Sequence, residues 1–366
     1  MTSSAKSTVL FSGYAPVHFV CFRPLFERLR RMQGVEVFVS GGLRSKVDDE
    51  VVYDLEGMFD PLGVDREHQL TVEEIRERDF DCLFAANTKM IEPRSVGSKV
   101  QIFHGVSFRN KAVRAVNANA DHYFIVGPYM RRAFASTGIV AEDDPRAHGI
   151  GFMKTDRLLN GELDRRATLA RHGLTGDRPV LVYAPTGQKH NSLESMGEEV
   201  IERLTKTGAF DVILKPHDHP RNPRNRTVRL KPLMGEHTVL SPSADVIELL
   251  HAADVLITDA SSVSNEFSLM DRPMVFLDVP KLISKASAAE GAMVDLDTWG
   301  RRCGDIVESP DQVVGCIEHA LADPSAKSDI RQAMAADLFF NPGHATDAAL
   351  EWLESTIFQN VRVGME

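Results

Sequence analysis

Two histidines stand where strands are expected to end. His104 ends the predicted strand 99–104, and His217 follows the predicted strand 210–215. Side chains at the carboxyl ends of parallel strands reach the ligand-binding edge of an α/β sheet. An imidazole titrates near neutral pH, so His104 could take a proton from a hydroxyl. The alternatives are a structural histidine at 104 and a surface turn at 217. A metal shared by His217 and His219 is a third possibility, but it lacks further ligands nearby.

A second group of residues could hold phosphate. The stretch 255–267 is typical of a buried strand, a turn with Asp259, Ser261 and Ser262, and a helix start. Free N–H groups and the positive end of the helix dipole attract an anion there, and small side chains allow it to approach closely. The alternative is that Asp259 or Ser261 only caps the helix.

Three further residues extend the predicted phosphate site. Thr186 lies in the loop 183–189, which combines a hydroxyl, a glycine and a cation, and Lys215 ends the strand before His217. Glu266 lies in the helix after the paired serines. A carboxylate there could bond both ribose hydroxyls of a nucleotide whose diphosphate rests on the helix start. Asp259, in the turn before the serines, is predicted to contact the same nucleotide. The alternative is an ordinary exposed helix glutamate.

Strands and helices alternate around these residues. Strands are predicted at 7–13, 35–42, 80–86, 99–104, 121–127, 179–185, 210–215, 238–240, 255–258 and 274–277, and helices at 22–32, 163–172, 197–205, 320–338 and 345–358. This rhythm indicates parallel sheets covered on both faces. It predicts an acceptor-binding Rossmann-like domain at 1–165, a donor-binding one at 166–344 and a C-terminal helical segment at 345–366 that packs back across the junction. Ligands are expected between the two domains.

Composition excludes several classes of protein. With 366 residues, 43% of them hydrophobic, the chain can bury two ordinary cores, and its net charge of -10 provides no field for nucleic acid. Its four cysteines are scattered and lack a metal-ligand spacing, as expected of reduced thiols. No window is apolar enough for a membrane helix, and neither a dinucleotide fingerprint nor a P-loop occurs. We expect a cytoplasmic protein, with peripheral membrane contact still open.

Several short motifs resemble those of one enzyme family. In order along the chain they are Phe103-His104-Gly105 with Arg109, Gly151-Phe152-Met153-Lys154-Thr155-Asp156, Tyr183-Ala184-Pro185-Thr186, Lys215-Pro216-His217 and Thr258-Asp259-Ala260-Ser261-Ser262. They resemble the CDP-glycerol glycerophosphotransferases, which build teichoic-acid and capsule-like polymers on a GT-B fold. The resemblance covers residues 101 to 273.

The resemblance implies roles for these residues. It implies that His104 is the general base on the acceptor hydroxyl, that His217, Ser261 and Ser262 hold the donor diphosphate, and that Arg109 binds phosphate. The implied reaction is displacement at the β-phosphorus of CDP-glycerol or a close analogue, with CMP leaving. The acceptor would be an oligosaccharide or lipid-linked hydroxyl, and neither a metal nor a cofactor beyond the donor is expected.

The chain departs from the family pattern at Ala260, Arg109 and Gly187, where the family usually has tyrosine, lysine and tryptophan. Three alternatives stay open. An epimerase acting on UDP-N-acetylglucosamine would share the fold and the spacing from Asp259 to Glu266. A GT-B glycosyltransferase would keep the phosphate site and move a sugar from a nucleotide-sugar donor. A non-catalytic nucleotide-binding assembly protein would need no base at all.

Overall fold

The computed structural model divides the chain into two compact units. The first comprises Met1–His104, Ala112–Asp156 and Phe339–Glu366, and the second Gly105–Lys111 and Arg157–Leu338. The structure describes residues 6–86, 90–105, 110, 112–114, 119–217, 227–243, 245–358 and 364–365. Each unit is described separately below.

The amino-terminal part of the first unit alternates strands with short helices. Its elements are β1 (Ser7–Gly13), α1 (Pro16–Leu29), β2 (Met32–Gln33), β3 (Val35–Gly41), β4 (Leu43–Val47), β5 (Glu50–Asp54), α2 (Leu55–Phe59), β6 (Gln69–Leu70), α3 (Val72–Ile75), β7 (Asp79–Ala85), β8 (Ser95–Gln101), β9 (His122–Phe124), α4 (Pro128–Ser136) and β10 (Ala147–His148).

A parallel sheet organises this unit. Within the described residues its strand order is β10-β9-β8-β7-β1-β3-β6. Because helices cover both faces, β1 is buried almost throughout. The ring centroid of Phe11 lies 5.0 Å from that of Phe22 in α1 and 5.1 Å from that of Phe84 in β7. The carboxyl ends of β8, β7 and β1 therefore lie side by side.

The second unit has the same construction. Its elements are α5 (Arg165–Arg171), β11 (Val180–Tyr183), α6 (Glu198–Thr207), β12 (Asp211–Leu214), α7 (Thr227–Leu230), β13 (Thr238–Leu240), α8 (Ile247–Ala252), β14 (Val255–Thr258), α9 (Val263–Ser268), β15 (Met274–Leu277), α10 (Pro280–Ser287), β16 (Asp305–Val307), α11 (Val313–Ala322) and α12 (Ser328–Leu338). The described strands form a parallel sheet in the order β13-β12-β11-β14-β15-β16. Its central strands are short apolar runs buried on both faces, as this architecture requires.

The chain then returns to the first unit through α13 (Ala345–Thr356) and β17 (Gly364–Met365). Adjacent residues mark the crossover. The Asp156 carboxylate accepts hydrogen bonds from the N–H groups of Ala345 and Thr346, at 3.0 and 2.7 Å, whereas Arg157 donates to Asp245 of the second unit at 2.7 Å. The first unit thus ends at Asp156, before the predicted boundary at 165, and resumes at Phe339, before residue 345.

Two helices differ from their predicted bounds. The first begins at Pro16, because proline at a first helical position fits the fixed backbone angle there, whereas the apolar spacing alone placed its start at residue 22. The predicted helix 320–338 is two helices, α11 and α12, separated by a turn that contains Pro324. None of the helices among the described residues is long and apolar enough to cross a membrane.

Candidate active site

The sheet of the second unit gathers the predicted phosphate-binding residues. Strand β11 pairs with β12 on one side and β14 on the other. Thr186 follows β11, Lys215 and His217 follow β12, and the paired serines follow β14. The carboxyl ends of three adjacent parallel strands therefore bring these residues to one edge, which is the usual ligand edge of a doubly wound sheet.

Asp259 ties two of these strand ends together. Its carboxylate, 1% exposed, accepts hydrogen bonds from the N–H groups of Thr186 and Ser192, both at 2.9 Å, and from the Ser192 hydroxyl at 2.8 Å. Both oxygens are thus engaged inside the protein. The predicted direct contact of Asp259 with a nucleotide is replaced by a positioning role, because the buried carboxylate sets the Thr186 loop and presents no free oxygen.

The side chain of His217 is exposed and lies against Gly187. A Cβ atom added at Gly187 would come within 2.7 Å of His217 Nδ1, closer than real Cβ contacts allow. The glycine that stands in place of the family's tryptophan is therefore the residue that leaves room for the His217 ring.

The remaining residues of this edge differ in burial. Ser261 and Ser262 are partly exposed, and in the described part of the chain neither hydroxyl bonds another residue, so both can bond a ligand. The Lys215 ammonium donates to the carbonyl of Pro216 at 2.9 Å. Glu266 lies in the first turn of α9 and is only 3% exposed, which rules out an ordinary exposed helix glutamate.

His104 lies in the first unit, beyond the end of β8. Its Nδ1 is 2.7 Å from the carbonyl oxygen of Ala86, which follows β7. A carbonyl can only accept, so Nδ1 carries the proton, and Nε2 of the neutral ring is an acceptor that bonds none of the described residues. The side chain is exposed to solvent, so a substrate hydroxyl can reach this nitrogen.

Two neighbouring features keep His104 uncharged. Desolvation by the surrounding protein lowers its pKa below the usual 6.5, and the hydrogen bond to Ala86 opposes this shift. The positive charge of Lys154 lowers the pKa further. Lys154 is only 5% exposed, with Nζ 5.7 Å from the ring centre of Phe152. Although the His104 ring is open to solvent on one side, both the burial around it and the lysine favour the neutral base.

Two residues considered in the sequence analysis, Arg109 and His219, lie outside the described residues. The sequence interpretation gave no role to Ser192 or Lys154, and it missed His18, a buried histidine near His104. The available signal for His18 was its place just after β1, where a proline starts the next helix.

Comparison with solved structures defines the class of protein. The wall teichoic acid polymerase TagF matches 98% of this chain and 90% of that chain with a TM-score of 0.66 and 16% identity. A putative UDP-N-acetylglucosamine 2-epimerase from Listeria monocytogenes matches 97% and 98%, with a TM-score of 0.60 and 15% identity. At these identities the likeness shows the fold alone. The protein has an α/β fold of the GT-B type, which confirms the predicted fold class.

The family follows from the sequence match. The model of the family described as CDP-Glycerol:Poly(glycerophosphate) glycerophosphotransferase matches residues 95–347, and the chain belongs to this family. A curated relative, the teichoic acid poly(ribitol-phosphate) polymerase of Bacillus spizizenii, is 32% identical over 117 residues. That match covers 30% of this chain and only 18% of the relative's length.

Proposed function

We propose that the protein transfers a glycerol-phosphate or similar polyol-phosphate group from a CDP-activated donor to a hydroxyl of a cell-surface polymer. The observation that carries the proposal is the state of His104 in a chain of this family, a neutral imidazole with Nε2 free to accept a proton. One solved TagF variant, soaked with CDPG, matches this chain with a TM-score of 0.62. The donor is proposed for this chain from the family match.

The proposed reaction is one displacement. The acceptor hydroxyl gives its proton to Nε2 of His104 while its oxygen forms a bond to the β-phosphorus of the donor. The bond from that phosphorus to the bridging oxygen breaks, and CMP leaves with the electron pair. In this proposal His217, Ser261, Ser262, Thr186, Lys215 and Arg109 hold the diphosphate, and Glu266 holds the ribose. Donors of hydrogen bonds and positive charge offset the negative charge that develops on the leaving group.

A donor panel tests this proposal. The purified protein is incubated with CDP-glycerol, CDP-ribitol, UDP-N-acetylglucosamine and a GDP-sugar, and Tm and nucleotide release are measured. We expect CDP-linked donors to raise Tm and CMP to be released when a polyol-phosphate acceptor is added, because ligand binding to the native state stabilises it. Stabilisation by UDP-N-acetylglucosamine alone would favour the epimerase, and binding without any product would favour the non-catalytic protein.

The acceptor and the place of action are also proposals. We infer that the first unit binds an oligosaccharide or lipid-linked hydroxyl, because the proposed base lies there. A lipid-linked acceptor would require the protein to work at the inner face of the cell membrane, through peripheral contact. Sedimentation with anionic vesicles that carry the lipid-linked acceptor, compared with the same vesicles without it, measures that contact.

Replacing Lys154 with methionine should move the acidic limb of the pH profile to higher pH. His104 is active as the neutral base, so activity falls as pH drops through its pKa. Removal of the buried positive charge makes protonation easier and raises that pKa. The measurement is kcat/KM between pH 4.5 and 8. Lys154→Arg keeps the charge and should keep the wild-type midpoint; an unmoved midpoint in Lys154→Met would contradict the expectation.

A further inference from the structure

A second histidine of the first unit stands beside the proposed base. His18 lies in the first turn of α1, directly after the carboxyl end of β1, and is 3% exposed. The centroids of the His18 and His104 rings are 5.2 Å apart, with 53° between their planes. Two imidazoles at this separation can contact oxygens on neighbouring carbons of one bound molecule.

The turn around His18 fixes which nitrogen carries its proton. The backbone N–H of Tyr14 donates to Nδ1 of His18 at 3.2 Å. An N–H group can only donate, so Nδ1 is the acceptor and Nε2 of the neutral ring carries the hydrogen. A Cβ atom at Gly13 would lie 2.9 Å from the His18 Cβ, so the glycine permits this close turn.

The Nε2–H group of His18 has no acceptor among the residues that the structure describes. Burial of the ring, with a smaller effect of His104, lowers the pKa of His18 to about 3. The ring is therefore neutral near pH 7, and it offers a hydrogen-bond donor next to the free acceptor on His104.

We propose that His18 binds the acceptor substrate by donating its Nε2–H to the oxygen on the carbon next to the attacking hydroxyl. The substrate class is an acceptor that ends in a vicinal diol, with one hydroxyl on His104 and its neighbour on His18. This inference rests on the proposed function. The family match begins at residue 95, so His18 lies outside the part of the chain that the family model matches.

Two variants separate binding from a structural role. In His18→Asn the side-chain oxygen can still accept from the Tyr14 N–H, but no donor reaches the Nε2 position. In His18→Gln the amide N–H can reach that position, but the acceptor for Tyr14 is lost. If His18 has only a structural role, asparagine should be tolerated and glutamine should not. If His18 binds the acceptor, the glutamine variant should use the acceptor better than the asparagine variant.

The probes are dodecyl phosphoglycerol, which ends in a vicinal diol, and dodecyl 3-hydroxypropyl phosphate, which lacks the second hydroxyl. With CDP-glycerol as donor, we expect wild type to prefer the diol by about tenfold in kcat/KM, as one neutral hydrogen bond provides. His18→Asn should lose that preference through its activity on the diol alone, and His18→Gln should retain it in part. Equal use of both acceptors by wild type, or an unchanged preference in His18→Asn, would overturn the proposal.

Calorimetric binding of the same two probes distinguishes this proposal from the proposed function. If wild type releases no CMP with any acceptor, the transferase proposal fails, while a tenfold binding preference for the diol that His18→Asn removes would still support His18. The wild-type comparison needs no variant, so equal binding of the two probes by wild type would overturn the proposal even if His18→Asn does not fold.

Discussion

Replacing His104 with asparagine is expected to lower kcat by about 10²–10⁴-fold, the range that a positioned general base contributes. The asparagine amide can still donate to the carbonyl of Ala86, which now accepts from Nδ1 at 2.7 Å, so the local fold is kept. The variant lacks the Nε2 acceptor and cannot take the hydroxyl proton. The residues proposed to bind CDP-glycerol belong to the other unit, so the Kd for CDP-glycerol should stay nearly constant.

His217→Ala is expected to show the opposite pattern. If the His217 imidazole contacts the diphosphate as proposed, its loss should raise the Kd for CDP-glycerol about tenfold or more, since a hydrogen bond to a charged group is worth more than a neutral one. Isothermal calorimetry and single-turnover CMP release measure both quantities for each variant. His319→Asn, which alters an exposed histidine on α11, is the matched control and should behave as wild type. Weak donor binding in the His104 variant with normal binding in the His217 variant would mean that the two roles are reversed.

The sheets of both units could be predicted because their strands are short apolar runs that end at polar or glycine residues. The sequence alone could not show that Thr186, Lys215 and Ser261 lie together. The strand order β12-β11-β14 brings these three residues to one edge of the sheet. The hairpin of β4 and β5 was not predicted, because it is largely exposed and its valines do not alternate with polar residues. Strand β16 was missed because only Val307 of its three residues is buried.

Contacts between distant parts of the chain could not be read from local patterns. Asp259 looked like a nucleotide ligand because it precedes small residues at a helix start, yet its partners are 67 and 73 residues away. Lys154 stood in a recognised motif, but its effect on His104 depends on the packing of two segments of the first unit that are distant in the sequence. His18 has no motif of its own, and only the order of β8, β7 and β1 shows that it neighbours His104.

Asp259→Asn is expected to lower the free energy of unfolding by about 2–4 kcal/mol, through a buried donor left without an acceptor. Three donors, two from Ser192 and one from Thr186, point at two carboxylate oxygens, whereas an amide offers one oxygen and a nitrogen that cannot accept. Burial raises the pKa of Asp259, and the hydrogen bonds from Ser192 and Thr186 oppose this. The neutral amide therefore avoids part of the cost of a buried charge, but it cannot accept all three hydrogen bonds.

Urea denaturation of Asp259→Asn and Ser192→Ala compares the loss of the carboxylate with the loss of one of its hydrogen-bond donors. Ser192→Ala removes the hydroxyl that donates to Asp259 and also pairs with the buried Tyr183 hydroxyl at 2.8 Å, so it should cost about 2–3 kcal/mol. Because the N–H of Thr186 would lose its fixed position when Asp259 changes, the Kd for CDP-glycerol should also rise in Asp259→Asn and far less in Ser192→Ala. A variant at 259 as stable as wild type would mean that the carboxyl is bound in its protonated form, since only then does an amide replace it without loss. Normal stability with weak donor binding would instead restore Asp259 to direct contact with the nucleotide.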